Sequence, residues 1–229
     1  MKQMLKKLLP GSLKKRLRSH FKRILKQEHH ANVDRFEKKA IAYELEEKHL
    51  TSLKGLPNRT FMLKLLPQGG VVAELGVDEG NFSEEILKYN KPSKLHLIDV
   101  WQGERYNQNK KAGVESKLAD EIGSGKVSVD IGYSTEVVKS YSESYFDWIY
   151  IDTAHSYHVT IDELNAYSTK VKPGGYMAGH DYVVGNWRNT IKYGVIEAVH
   201  EFCVKENWEL VYMTMDTRAH RSFAIRRIQ

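Results

Sequence analysis

The chain has 229 residues, 41% of them hydrophobic and 28% charged, enough for one sizeable domain with an extension. One cysteine, Cys203, excludes an internal disulfide and fits a reducing compartment and a small buried apolar role, and no apolar run reaches membrane-span length or forms the core of a signal peptide. The net charge of +6 is local: residues 1–27 hold ten Lys or Arg and no acid, leaving 25 basic against 29 acidic residues, a balance of −4, and so no basic catalytic domain.

Pro10-Gly11 predicts a break between two short helices in residues 1–27. Beyond it Leu13, Leu17, Phe21, Ile24 and Leu25 recur on one helical face, with Lys14, Lys15, Arg16, Arg18, Lys22, Arg23 and Lys26 around them. An apolar stripe in a cationic helix suits an anionic membrane surface. Nucleic acid phosphates, a partner protein or a plain basic tail are the alternatives. Residues 28–54 predict a longer helix with Val33, Phe36, Ala40, Tyr43 and Leu45 as apolar positions, ended by Gly55 and Pro57. Asn58 is placed to cap a further helix through Leu66. The chain therefore divides into a basic amphipathic segment (1–27), a helical extension (28–68) and an α/β domain (69–229).

In that domain strands and helices alternate. Strands are expected at Val71–Leu75, Leu95–Asp99, Val127–Ile131, Phe146–Asp152 and Tyr176–Gly179, with helices over 82–89, 104–122, 134–141, 157–170 and 188–206 between and after them. Phe146–Asp152 is apolar almost throughout, as a strand buried on both faces must be. Glu209–Met215 and Ser222–Ile228 are too close for a helical crossover and should pair antiparallel.

Ligands of such a sheet sit beyond the carboxyl ends of the strands. The first strand runs into Glu74-Leu75-Gly76-Val77-Asp78-Glu79-Gly80, with glycines four apart, so the G-x-G-x-x-G phosphate pattern is absent and a cofactor without pyrophosphate is favoured. Glu74 could take an ammonium group or orient the glycine loop. Asp99 ends the second strand 23 residues beyond Gly76, where a carboxylate can accept both hydroxyls of a ribose or simply cap the turn. Gly132, Tyr133 and Ser134 follow the third strand, Asp152 and His155 the fourth, and His180 and Asp181 the fifth.

Four blocks, Ala73–Ser83, Leu95–Trp101, Phe146–Tyr157 and Lys172–Tyr182, resemble in order and spacing the class I S-adenosylmethionine-dependent methyltransferases. The resemblance covers residues 69–229 and runs toward the branch with metal-dependent sugar O-methyltransferases of macrolide and polysaccharide type. It implies a Rossmann-like seven-stranded, mostly parallel sheet with an antiparallel last strand. It places Glu74, Gly76 and Gly80 along the methionine and ribose of the cofactor. Asp99 would lie on the ribose hydroxyls, Val100 and Trp101 near the adenine, and Tyr133 and Ser134 at the adenine contact. Many relatives carry Asp where Tyr133 stands. The D-x-x-H of Asp152 and His155 would supply a metal ligand and a general base, with Asp181 and His180 across the cleft as further ligands. Sugar enzymes tend to have an acid at the position of His180, and this donor set suits Mn, Fe or Zn as well as Mg.

The resemblance thus implies transfer of a methyl group to a hydroxyl of a sugar or glycan precursor. A phenolic or other small-molecule acceptor, and a non-catalytic cofactor-binding or nucleic-acid-interacting protein, are the rivals. Tyr182, Trp187, Arg188, Lys192 and Tyr193 would cover the acceptor, and residues 103–113 would form a polar lid or a plain surface helix. The expected location is the cytoplasm, at the inner face of a membrane if residues 1–27 engage it; the sequence does not set the oligomeric state.

Overall fold

The computed structural model describes residues 10–37, 42–186, 191–217 and 220–229. Helix α1 (Gly11–Glu37) is continuous across residue 27, and Lys14 donates its backbone N–H to the Pro10 carbonyl at its start. The first of the two short N-terminal helices falls on residues 1–9, outside the described residues. The helix expected over 28–54 is corrected. Its described helical part stops at Glu37, Glu47–His49 make one 3₁₀ turn, and Lys54–Leu56 form strand β1. Burial overrides the helical pattern here: Leu45 and Leu53 pack on the core, and His49 is buried with its Nδ1 accepting from the Glu46 N–H at 2.9 Å. Helix α2 (Arg59–Leu65) starts as expected, with the Asn58 side chain accepting from the Phe61 N–H at 3.0 Å.

The remaining elements are β2 (Val71–Leu75), α3 (Asn81–Tyr89), β3 (Lys94–Asp99), α4 (Gln108–Lys117), α5 (Ala119–Gly123), β4 (Val127–Ile131), α6 (Ser134–Val137), β5 (Phe146–Ile151), α7 (Tyr157–Ser168), β6 (Val171–Gly179), β7 (Gly185–Asn186), β8 (Ile191–Lys192), α8 (Val195–Glu206), β9 (Trp208–Thr214) and β10 (Phe223–Arg227). The main sheet has eight strands in the order β1-β9-β10-β6-β5-β2-β3-β4. Strands β6-β5-β2-β3-β4 are parallel, and β10 runs antiparallel between β6 and β9. The seven expected strands are therefore present, with β1 added in parallel at the edge of β9.

Alternation along the strands divides the core in two. Ala73, Leu75, Ile149 and Ile151 face α7 and α8, whereas Val72, Trp148, Tyr150 and Leu97 face α2, α3 and α4. Cys203 lies in the first core, where burial pushes its thiol up to about 12 and keeps it unreactive. The helix expected from 188 begins later, at Val195. The β7–β8 pair precedes it, and the Gly194 backbone packs so closely on Tyr157 that any Cβ there would overlap it. The expected helix over 104–122 is split at Leu118 into α4 and α5.

Two strand ends meet at Gly76. It has φ of 86°, and a Cβ on it would lie 2.1 Å from the Asp152 carbonyl oxygen. Gly76→Ala should therefore destabilise the domain by about 2–4 kcal/mol, lowering the midpoint of a thermal melt by roughly 5–15 °C. An unchanged midpoint would show that the β2–β5 junction yields freely.

Candidate active site

Hydrogen bonds continue past the last residue of each parallel strand. The Gly76 N–H donates to the Ile98 carbonyl at 2.9 Å, Asp152 N–H to Leu75 at 2.8 Å, and His180 N–H to Ile151 at 2.9 Å. The polar residues after β2, β3, β5 and β6 are therefore aligned along one rim.

Asp99 stands at the end of β3 with its carboxylate already engaged. Oδ2 accepts from the Val77 and Asp78 N–H groups at 2.8 and 3.0 Å, and Oδ1 from the Trp101 N–H at 3.0 Å. It thus pins the glycine turn with three of its four lone-pair sites, and the one left on Oδ1 is open to a further donor such as a hydroxyl. Gly80 is left-handed (φ 71°) at the start of α3. Trp101 is 1% exposed, and its indole N–H donates to the Asp78 carbonyl at 3.0 Å, so its ring packs beneath the turn and offers no open face. Val100 is partly exposed beside it. Lys110, within the expected lid and in the first turn of α4, pairs with Asp78 and Glu79, which fastens α4 over the turn.

Glu74 is 1% exposed and accepts from the Ser83 hydroxyl of α3 at 2.5 Å. Burial pushes its carboxyl up to about 8, with nearby Asp152 adding to the rise and the Ser83 bond and Arg59 opposing it. After β4 the Tyr133 ring is exposed, whereas the Ser134 hydroxyl donates to buried Glu163, which also accepts from Thr153 at 2.7 Å. Burial pushes Glu163 up to about 7 despite those two bonds. Glu163 thus ties the turns after β4 and β5 together, a role no local motif signals.

The densest cluster surrounds Asp181, which is 4% exposed with φ of 57°. Its Oδ2 is 2.8 Å from His155 Nδ1, its Oδ1 is 3.5 Å from His180 Nδ1, and the same oxygen is hydrogen-bonded by His220 Nδ1. Burial alone would raise the Asp181 carboxyl, but the imidazole bonds and charges hold it far below the usual range. An ionised Asp181 makes His155 Nδ1 the protonated nitrogen and leaves Nε2 with the lone pair. For His180 the burial penalty is outweighed by Asp181 and Asp152, so its pKa is raised. Asp152 is raised by burial, with Asp181 adding and the two imidazoles opposing.

His220 is absent from the sequence-level candidates because it arrives on the β9–β10 hairpin, 39 residues from Asp181. Tyr193 does border the site, its ring 4.5 Å from that of His155, whereas the Tyr182 hydroxyl is turned to His200 at 2.6 Å. Trp187 and Arg188 lie outside the described residues. Among the described residues, Asp152, His155 and Asp181 can bring ligand atoms within 4.8 Å of one another; His180 stands outside that trio, with Nδ1 3.8 Å from Asp152.

The Glu74 environment has a measurable consequence. The folded chain keeps a proton that the unfolded chain releases above its ordinary value of 4.5, so stability falls as pH rises from there to about 8. Glu74→Gln should remove that slope. In melts from pH 5 to 9 the variant should gain on the wild type by up to about 1.4 kcal/mol per pH unit; a pH-independent difference would refute a protonated Glu74.

A family described as "Methyltransferase domain" matches residues 73–182, just under half of the chain. No curated protein sequence matches. Among solved structures, a protein assigned as an rRNA methylase from Clostridium thermocellum aligns at 14% identity over 76% of this chain and 99% of its own, with a TM-score of 0.56. TomG from Streptomyces achromogenes, an O-methyltransferase of tomaymycin synthesis determined with S-adenosylmethionine, aligns at 17% identity over 73% and 78%, with a TM-score of 0.55. The tRNA methyltransferase TrmK from B. subtilis aligns at 16% identity over 75% and 66%, with a TM-score of 0.53. At these identities the structures speak to the fold alone, and the domain match carries the activity. The domain match makes this chain an enzyme, a methyltransferase, built on the Rossmann-like fold that those structures share.

Proposed function

We propose that the enzyme methylates a hydroxyl oxygen of a sugar or glycan precursor, with His155 as general base. The observation that carries this is the 2.8 Å contact between Asp181 Oδ2 and His155 Nδ1. A hydroxyl is a poor nucleophile until it loses its proton, and a buried carboxylate on one imidazole nitrogen readies the other to take it. Bound S-adenosylmethionine supplies a methyl on a sulfonium, released as a neutral thioether when an oxygen takes the carbon. His155 Nε2 accepts the acceptor's proton as the new O–C bond forms and the C–S bond breaks. Asp181 stabilises the resulting imidazolium, and the rim of strand ends holds acceptor and cofactor in line.

The cofactor's chemistry fits the residues present. Asp99 offers its remaining Oδ1 lone pair to a ribose hydroxyl, and the glycine turn leaves backbone where a side chain would intrude. A divalent cation is the second reading. Asp152, His155 and Asp181 would hold it, a donor set that fits Mn or Mg, and it would acidify the acceptor hydroxyl. In that case His155 would be a ligand and His180 or His220 the nearest remaining imidazole. The Tyr193 ring beside His155 suits a sugar face or a phenol equally, and a phenolic small molecule is the alternative acceptor. Nucleic acid is disfavoured by the balance of −4 over residues 28–229.

The N-terminal helix supports a peripheral place on an anionic membrane. Leu13, Leu17, Phe21, Ile24 and Leu25 of α1 are all exposed, Phe21 by 61% and Leu25 by 64%, among seven Lys and Arg. No helix among the described residues is long and apolar enough to cross a membrane.

In a labelled-methyl screen over nucleotide sugars, lipid-linked glycans and small phenols, His155→Ala should lower transfer to the accepted substrate roughly 10²–10⁴-fold at unchanged cofactor affinity. Retained turnover would remove His155 as base, and loss of activity in chelator, restored by Mn or Mg, would select the metal reading. In flotation assays the full chain should rise with phosphatidylglycerol vesicles and not with phosphatidylcholine ones. Leu17→Ala/Phe21→Ala/Leu25→Ala should stay at the bottom; equal flotation of both would place the contact elsewhere.

A further inference from the structure

Arg59 was not among the sequence-level candidates, yet it is the first residue of α2 and its guanidinium is turned toward the sheet. Its Cζ lies 4.3 Å over the Phe82 ring at the start of α3, and it is within hydrogen-bonding reach of the Tyr150 hydroxyl on β5. Its Nη2 is 3.6 Å from Glu85 Oε1, longer than the 2.7–2.9 Å or so of a strong charge-assisted bond. The pair with Glu85 therefore does not account for this placement. The Phe82 ring beneath it is followed by Ser83, whose hydroxyl holds Glu74 at 2.5 Å, so the guanidinium stands beside the rim, where its charge also reaches Glu74 and Asp152. Lys64, on the last turn of the same helix, is directed away, over the Phe61 and Tyr89 rings.

A cation and an acid thus flank the start of the glycine turn from opposite elements, Arg59 from α2 and Glu74 from β2. An amino acid carries its carboxylate and its ammonium on one carbon, so a site for it needs opposite charges a few ångströms apart. We infer that Arg59 holds the α-carboxylate of the methionine tail of S-adenosylmethionine, with Glu74 at the ammonium end. The Phe82 ring fixes the guanidinium against α3, so its planar fork is presented to the carboxylate at little entropic cost. The inference rests on the reading of this rim as the cofactor site, and it adds the group that anchors the tail end of that cofactor.

Calorimetry with two ligands separates the inference from that reading. The probes are S-adenosylhomocysteine and its decarboxylated analogue S-adenosyl-3-thiopropylamine, which differ only in the carboxylate. Wild type should bind the first more tightly. Arg59→Met should weaken S-adenosylhomocysteine roughly 10–100-fold, the size of a hydrogen bond to a charged group, and leave the analogue within about threefold. Arg59→Lys, which keeps the charge and loses the fork, should fall between them on S-adenosylhomocysteine alone, and it serves as the test if Arg59→Met does not fold. Equal weakening of both ligands, or of neither, would overturn the carboxylate contact while leaving the cofactor site standing. Binding of neither ligand to the wild type would overturn both.

Discussion

The seam between β2 and β5 is the constraint on which the site depends. The glycine turn can pass only because Gly76 has no side chain to meet the Asp152 carbonyl, and the hydrogen bonds beyond the strand ends continue the ladder one residue further. Asp99, Asp152, His180 and Asp181 are consequently brought to a common height by backbone rather than by their own side chains. A parallel sheet fixes strand spacing at about 4.8 Å, so residues that follow neighbouring strands are near one another without any direct selection for the contact.

Charge along this rim is arranged by how each acid is compensated. Asp99 accepts three backbone N–H groups, Asp181 is surrounded by three imidazoles, and Glu74 has a single hydroxyl. The first two arrangements favour the anion, and the third favours a neutral acid. Different states follow from one residue type: a carboxylate that anchors a turn, a carboxylate held among imidazoles, and a buried carboxyl kept neutral. Asp78, Trp101 and Asp181 around them hold positive φ values, so part of the strain tolerated by the fold lies at the same rim.

The central strands were legible because burial on both faces leaves a near-continuous apolar run, as in Phe146–Ile151, and the acids and histidines after them follow from where such strands end. The segment before the domain was not. Leu45, His49 and Leu53 fit a helical spacing, but His49 is buried and the two leucines pack partly buried against a surface built from distant residues, and Lys54–Leu56 is a strand because β9 offers it an edge. His220, Arg59 and Glu163 were hidden for the same reason. Each sits in a sequence context without a motif and is delivered to the rim by helix or hairpin packing. Trp101, expected near the adenine, shows the converse: its position at the strand end was legible, its rotation under the turn was not.

The hairpin that carries His220 sets an order of events as well as a position. Strand β10 is inserted between β6 and β9, and β1 is in turn held by β9. The sheet therefore stays divided until the last strand is in place: β6 presents an open edge, and β1 with β9 can form only a separate pair. During synthesis, which proceeds at about 5–20 residues per second, residues 54–56 must wait for residues 212–214, and Asp181 for residue 220. The nascent chain can thus assemble its glycine turn well before it acquires the full set of histidines, and its longest unprotected interval ends only with the final strand.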